Sequence, residues 1–137
     1  MRYFPTLAAL SMAFAGSAVA QITVPETDVV LAAPAVEVEG YERYDYAADT
    51  TLDVTLDDAD VYSSVTGEDI GEVDDVHMDA GTGRTYLELE IGGFLDIGDK
   101  DIAVPLEQVS IYRGGDEYRV YIAATEEQLK SYPEFDD

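Results

Sequence analysis

One stretch of the sequence, residues 84–91, reads RTYLELEI and alternates apolar with polar side chains. A period of two predicts a β-strand with one face in a core and the other face directed outward. The inward face is formed by Leu87, Leu89 and Ile91, and the outward face by Tyr86, Glu88 and Glu90. The sequence DAGTG at residues 79–83 precedes the stretch and predicts a hairpin turn.

Five further short strands are predicted on either side of this stretch. They lie at residues 61–62, 70–78, 102–106, 108–112 and 118–122. Gly71 marks a bend or bulge, and we expect a positive φ there and at Gly67. Pro105 favours a position at the edge of the sheet for its strand, because proline cannot donate a ladder hydrogen bond.

The C-terminal part predicts a short helix. Residues 125–128 read TEEQ, which is a capping box with Thr125 as the N-cap, and Pro133 ends the helix. Together these elements predict a mainly β fold: a small β-barrel of five or six short strands with a short C-terminal helix. Closure of the barrel removes the open edges that make alternating strands prone to aggregation.

The N-terminal residues predict export. Arg2 precedes a short apolar run at residues 6–15, and AVA at residues 18–20 is a small-x-small cleavage signal. We predict a signal peptide over residues 1–20, cleavage after Ala20 and a periplasmic location. An uncleaved anchor is the alternative, but the apolar run is about half of the roughly 20 residues that span a bilayer. We therefore expect no stable membrane insertion after cleavage.

Residues 21–51 predict an acidic linker, rich in proline and alanine and partly disordered. Pro25 and Pro34 interrupt both helical and strand patterns. Three tyrosines either pack on the domain that follows, which we favour, or form a docking patch. They are Tyr41, Tyr44 and Tyr46. The domain itself is predicted over residues 52–137.

The composition excludes several classes of function. Thirty acidic residues stand against seven lysines and arginines, which gives a net charge of −23 at pH 7. A field of this sign repels phosphate backbones, so we expect no nucleic-acid binding. The absence of cysteine excludes disulfides and thiol chemistry, and a single histidine, His77, excludes metal sites that need two histidines from one chain.

Acidic groups offer candidate sites, but their spacing does not match a calcium-binding loop. One set comprises Asp96, Asp99 and Asp101, and another comprises Asp57, Asp58 and Asp60. Glu88 and Glu90 lie about 7 Å apart by strand rise. That pair suits glycoside hydrolysis, but a solvent-exposed face explains it as well. We predict no catalytic, cofactor-binding or metal-binding residues, and no enzyme activity.

The single histidine has two interpretations. His77 follows Val76 in a predicted strand and should point to the opposite face. Acidic neighbours make a pH sensor one interpretation. We favour the other, an exposed histidine on the sheet surface.

Three blocks of sequence carry a resemblance to a known family. The blocks are ADVY at residues 59–62 with GEDIGEVDDV at residues 67–76, GGFLDIGDKDIAVP at residues 92–105, and TEEQL at residues 125–129 with PEF at residues 133–135. The first two resemble the PRC-barrel domain, and the third resembles the tail of exported, free-standing alphaproteobacterial members. The similarity runs from about Leu56 to Phe135.

The resemblance implies a small β-barrel related to that of the photosynthetic reaction centre H subunit, with a role in protein–protein interaction and no catalytic residues. We therefore predict an exported, non-enzymatic protein that binds another protein, or a second copy of itself, in the cell envelope. Apolar and aromatic residues on and beside the loop at residues 92–101 are the predicted interaction site. They are Tyr86, Phe94, Leu95, Ile97 and Tyr112.

The negative field predicts a partner with basic patches. An alternative function is that of a divalent-cation-binding protein that uses its carboxylates, or of an acidic envelope stress protein.

Overall fold

The computed structural model describes residues 20–22, 24–25, 27, 29–92 and 99–135. Within them, eight strands form one sheet. The strands are β1 (Ala20–Ile22), β2 (Glu42–Arg43), β3 (Asp60–Ser63), β4 (Asp69–Asp79), β5 (Thr85–Ile91), β6 (Lys100–Pro105), β7 (Val109–Gly114) and β8 (Glu117–Ile122). The predicted mainly β fold is confirmed, and the six strands expected from the sequence are β3 to β8.

The helices are short. Helix α1 spans Leu52–Thr55 and α2 spans Glu126–Lys130, and 3₁₀ turns occur at Tyr46–Ala48 and Leu106–Gln108. The predicted capping box at the start of α2 is confirmed, since Thr125 and Gln128 exchange side-chain and backbone hydrogen bonds. None of the described helices has the length and apolar character needed to cross a bilayer.

The strands follow the order β2-β7-β8-β3-β4-β5-β6, and β1 pairs with β4 outside this path. The long β4–β5 hairpin is antiparallel, with Val76 opposite Leu87. Strands β3 and β8 pair in parallel, which joins the first and last parts of the barrel domain. Strand β6 ends the order, so Pro105 lies in an edge strand of the described sheet, as predicted.

The inner faces of the strands form the core. The three inward-facing residues predicted for β5 are fully buried: Leu87, Leu89 and Ile91. Strands β3, β4, β6, β7 and β8 add alternate residues, and α2 adds Leu129 across one end. Full burial of each such aliphatic side chain stabilises the fold by about 1.5–3 kcal/mol relative to exposure.

Gly71 lies in β4 opposite Ile91, and the register with β3 shifts by one residue beside it, which confirms the predicted bulge. A Cβ at this position would lie 2.0 Å from the carbonyl oxygen of Glu90. The expectation of a positive φ is wrong for Gly71, whereas Gly67 has a φ of 76°. Gly71 is required because the neighbouring backbone approaches closely.

The described residues between 20 and 51, here called the arm, lie against the sheet. Strand β2 pairs with β7, and the Tyr41 hydroxyl donates to Glu117 over 2.7 Å. Tyr44 and Tyr46 pack against the core, as the packing interpretation of the tyrosines requires. The division of the chain into linker and domain at residue 52 stays a prediction.

Asp49 ties the arm to α1. Its carboxylate accepts hydrogen bonds from the Tyr44 hydroxyl at 2.8 Å, the Thr51 amide at 2.9 Å and the Thr55 hydroxyl at 2.7 Å. Burial alone raises the pKa of Asp49, but these hydrogen bonds outweigh it and hold the pKa below its ordinary value. The same contact raises the pKa of Tyr44 to about 12.

Candidate functional site

The outer face of β4 and β5 is covered by segments from both ends of the described chain. Val76 and His77 point to opposite faces of β4, yet each is only 1% exposed. Val24 and Phe135 of these segments form a small apolar cluster with Ala103 of β6, and the partly buried Tyr86 packs against it. The prediction that His77 is exposed is therefore wrong, because Phe135 packs edge-on against its ring at 5.1 Å.

His77 and Glu88 form a buried pair. The Nε2 atom of His77 lies 2.7 Å from Oε1 of Glu88, and Glu88 is 3% exposed. The interpretation of Glu88 as part of a solvent-exposed face is wrong, because its side chain is buried beside His77. The hydrogen bond offsets the cost of removing both polar groups from water. The Nδ1 atom of His77 has no hydrogen-bond partner among the described residues.

Glu88 of this pair also lies close to two carboxylates from the neighbouring strands. Oxygen atoms of Asp74, Glu88 and Asp101 lie within 4.8 Å of one another. Of the acidic residues singled out in the sequence, Glu88 and Asp101 belong to this group, and Asp96 lies outside the described residues. Acidic groups meet in this way without an ion as well, so divalent-cation binding stays a prediction.

Glu90 has surroundings different from those of Glu88. It is half-buried, and its pKa is raised first by burial and then by a hydrogen bond with Asp99. The two glutamates thus do not form a matched carboxylate pair over a cleft.

A groove lies at one end of the sheet, between the arm and the ends of β5 and β6. Its cavity measures about 590 Å³. We call it the end groove, and it is lined by Val24, Pro25, Thr27, Val29, Val30, Asp79, Gly81, Thr82, Arg84, Tyr86, Pro105 and Gln108. Arg84 forms an ion pair with Glu107 and lies 5.7 Å from the centre of the Tyr86 ring.

Gln108 is the buried polar residue of the end groove. Its side chain is 4% exposed, and its Oε1 atom accepts no hydrogen bond from any described residue. A smaller cavity of about 190 Å³ also borders Val29. Tyr132 lines that cavity, and its buried hydroxyl also lacks a hydrogen-bond partner in the described part of the chain.

An arginine–tyrosine cluster occupies the outer face at the other side of the sheet. The guanidinium of Arg119 lies 4.4 Å from the Tyr41 ring centre and 4.7 Å from that of Tyr62. Tyr121 stacks on Tyr62 at 5.4 Å and meets Tyr112 edge-on. These contacts fasten the arm to β3 and β8.

The residues of the predicted interaction site do not come together as one surface. Tyr86 lines the end groove, whereas Tyr112 is only 5% exposed, and its hydroxyl accepts a hydrogen bond from the amide of Val36. The arm thus covers Tyr112, four places from β5 in the strand order. The other three predicted residues lie outside the described residues: Phe94, Leu95 and Ile97.

Sequence reasoning did not identify the remaining residues of the end groove. Val29 and Val30 stood in a segment interpreted as a linker, and Gln108 stood at the start of a predicted strand. No periodic signal marks them, because the groove forms where segments distant in sequence meet.

The comparison with known families agrees with this architecture. The model of the PRC-barrel domain matches residues 52–129, from the first residue of α1 to Leu129 of α2. No curated protein shows a significant match to the chain.

Proposed function

Because this chain belongs to the PRC-barrel domain family, we propose that it is an exported, non-enzymatic interaction module that binds another protein in the cell envelope. The observation that carries the proposal is the end groove, where apolar side chains remain on the surface beside a cavity. Val30 is 82% exposed, and Tyr86 and Pro105 line the same cavity. Single exposed apolar residues are ordinary, but a set that borders a concave surface is typical of a binding site.

Export to the periplasm is part of the proposal. Removal of residues 1–20 would leave Gln21 and Ile22 of β1, which pair with Met78 and Asp79 of β4. The barrel domain would therefore keep most of the strand that the arm adds to it. Cell fractionation followed by intact-mass measurement tests this step. We expect a periplasmic protein that begins at Gln21, and a full-length protein confined to the cytosol would contradict export.

Crosslinked co-purification from the periplasm tests the interaction. The full chain, tagged at its C-terminus, is compared with Val30→Lys and with the matched control Val54→Lys. Val54 is 70% exposed on α1 and lies outside both cavities. We expect one dominant partner by quantitative mass spectrometry, with recovery reduced at least about fivefold by Val30→Lys only.

Three results would contradict parts of the proposal. Equal loss with both variants would show that added positive charge, rather than the groove, weakens binding. No loss with either variant would place the partner elsewhere on the barrel. Recovery of the chain alone would contradict the role of adaptor and favour a self-contained oligomer or a soluble acidic protein.

A further inference from the structure

We infer that the end groove binds an extended, positively charged polypeptide segment of the partner, an inference that rests on the proposed function. The shape of the groove, its unpartnered polar atoms and its charge each support such a ligand.

The shape favours an elongated ligand. The end groove and the smaller cavity measure about 590 Å³ and 190 Å³, and both border Val29. A compact molecule would fill only one of them, whereas an extended chain that crosses Val29 would reach both. Side chains on one face of an extended chain recur at every second residue, which suits two neighbouring pockets.

Each cavity also contains a buried polar atom without a partner. Oε1 of Gln108 accepts no hydrogen bond, and the hydroxyl of Tyr132 makes none within the described residues. A polar atom left unpaired in a buried position costs free energy, and most such atoms in folded proteins are paired. A rotation of the Gln108 amide would bring its oxygen to the groove, where a backbone N–H group of a bound segment would supply the missing donor.

The apolar part of the groove lining favours a ligand that carries apolar side chains. Val30, Tyr86 and Pro105 present hydrocarbon and an aromatic ring on the groove side. An apolar side chain of the ligand would remove this surface from water. Polar side chains alone would gain less from the same contact.

Charge selects a basic ligand. Asp79 lines the groove, and hydrogen bonds from Thr82 hold its pKa below the ordinary value, so it is ionised near pH 7. Arg84 is the one basic residue of the described lining, and Glu107 already neutralises it. The net charge of −23 attracts a cationic segment and repels a second copy of the chain.

Fluorescence anisotropy with defined peptides tests the inference on the exported protein. The probe is a labelled octapeptide that alternates lysine with valine, measured at about 0.15 M salt so that long-range attraction is screened. One control alternates lysine with glycine, and another alternates glutamate with valine. We expect the lysine–valine peptide to bind at least about tenfold more tightly than either control, because only this peptide combines charge with apolar contact.

Gln108→Leu distinguishes the proposed contact from a purely ionic interaction, which the change would leave unaffected. Removal of the unpaired acceptor should leave the melting temperature unchanged or higher, because the buried oxygen has no partner in the free protein. The same change should weaken the lysine–valine peptide about three- to tenfold, because one hydrogen bond is lost. Val54→Ala serves as a control and should change neither quantity.

The outcomes separate the inference from the proposed function. Equal affinity for the lysine–valine and lysine–glycine peptides, or for Gln108→Leu and the unmodified protein, would overturn the inference. If the groove then still showed Val30-dependent capture of a partner, the interaction module would stand with a ligand of different chemistry. Peptide binding that depends on Gln108, without any captured partner, would instead support the groove and contradict the proposed function.

Discussion

Two clusters on the outer surface of the sheet combine aromatic rings with charged or polar groups, and they differ in burial. The His77 cluster, made of His77, Glu88 and Phe135, is almost fully covered. The Arg119 cluster, made of Arg119, Tyr41, Tyr62 and Tyr121, is half-exposed at its arginine and at two of its tyrosines. Water competes for polar contacts at the second cluster but not at the first. Contacts of similar kind should therefore contribute several-fold more to the free energy of unfolding in the His77 cluster than in the Arg119 cluster.

The largest expected effect is that of Glu88→Ala. The change leaves His77 buried without the partner of its Nε2 atom and also opens a cavity, so the free energy of unfolding should fall by about 2–4 kcal/mol. Urea unfolding measures the loss. Glu90→Ala, one pleat along the same strand and half-buried, is the matched control and should cost less than about 1 kcal/mol.

A double-mutant cycle sharpens this prediction. If His77→Ala, Glu88→Ala and the double variant show a coupling energy of at least about 1 kcal/mol, the pair stabilises the fold through its hydrogen bond. Additive losses would mean that the two residues contribute only through packing. The contrast between the two clusters would then lose its electrostatic part.

Phe135→Ala comes next. Phe135 is buried against His77, and its amide donates to the carbonyl oxygen of Asp101 over 2.7 Å. Phe135 packs in a small cluster on the outer face of the sheet rather than in the main core, so we expect a loss of about 2 kcal/mol, below the usual cost for a core phenylalanine. Phe135→Leu should lose only about half as much stability as Phe135→Ala. NMR of the His77 ring should show solvent access in the alanine variant, and an unchanged spectrum would contradict the covering role of Phe135.

The failure of the sequence at His77 has a physical reason. Alternation along β4 places Val76 and His77 on opposite faces, and the structure confirms this. Alternation does not show what covers each face, and here the cover comes from Val24 and Phe135, both distant in sequence. Burial on the outer face therefore had no local signal.

The same reasoning separates the two parts of the end groove. Tyr86 was identifiable because it stands on the outward face of a strongly periodic strand. Gln108 was not, because no local pattern marks it, and the groove that it lines forms where the arm meets the ends of β5 and β6. Gly71 shows both cases: the bulge follows from glycine in a strand pattern, whereas the contact with the Glu90 carbonyl requires the register of β4 against β5.

Asp49 ties the arm to α1, and the same arm contributes Tyr41 to the Arg119 cluster. The pKa of Asp49 is lower in the folded protein than its ordinary value of 3.8, so the ionised carboxylate adds stability above that pH. This contribution is lost as the pH falls through the folded pKa. Asp49→Asn should cost about 0.5–1.5 kcal/mol at pH 7, with a loss that shrinks toward about pH 3.

Urea midpoints across this pH range measure the effect, with Asp45→Asn as the control on the same arm. Asp45 is exposed, although its side chain accepts a hydrogen bond from the amide of Ala47. A destabilisation by Asp49→Asn that is the same at pH 7 and pH 3 would show that the carboxylate acts by shape rather than by charge.

The smallest expected effect belongs to Arg119. Its guanidinium lies between the rings of Tyr41 and Tyr62, but it is only half-buried, so Arg119→Met should cost about 0.5–1 kcal/mol. Methionine keeps an apolar stem against both rings and removes the charge, so the measured loss isolates the cation–π part of the contact. Arg119→Lys keeps the charge without the planar group, so its stability should lie between those of the unmodified protein and Arg119→Met.

The losses of stability measured for Glu88→Ala and Arg119→Met decide the comparison between the two clusters. A loss for Arg119→Met as large as that for Glu88→Ala would mean that exposure to water does not weaken the arginine–tyrosine contacts. The arm would then be fixed to the barrel as firmly as Phe135 is.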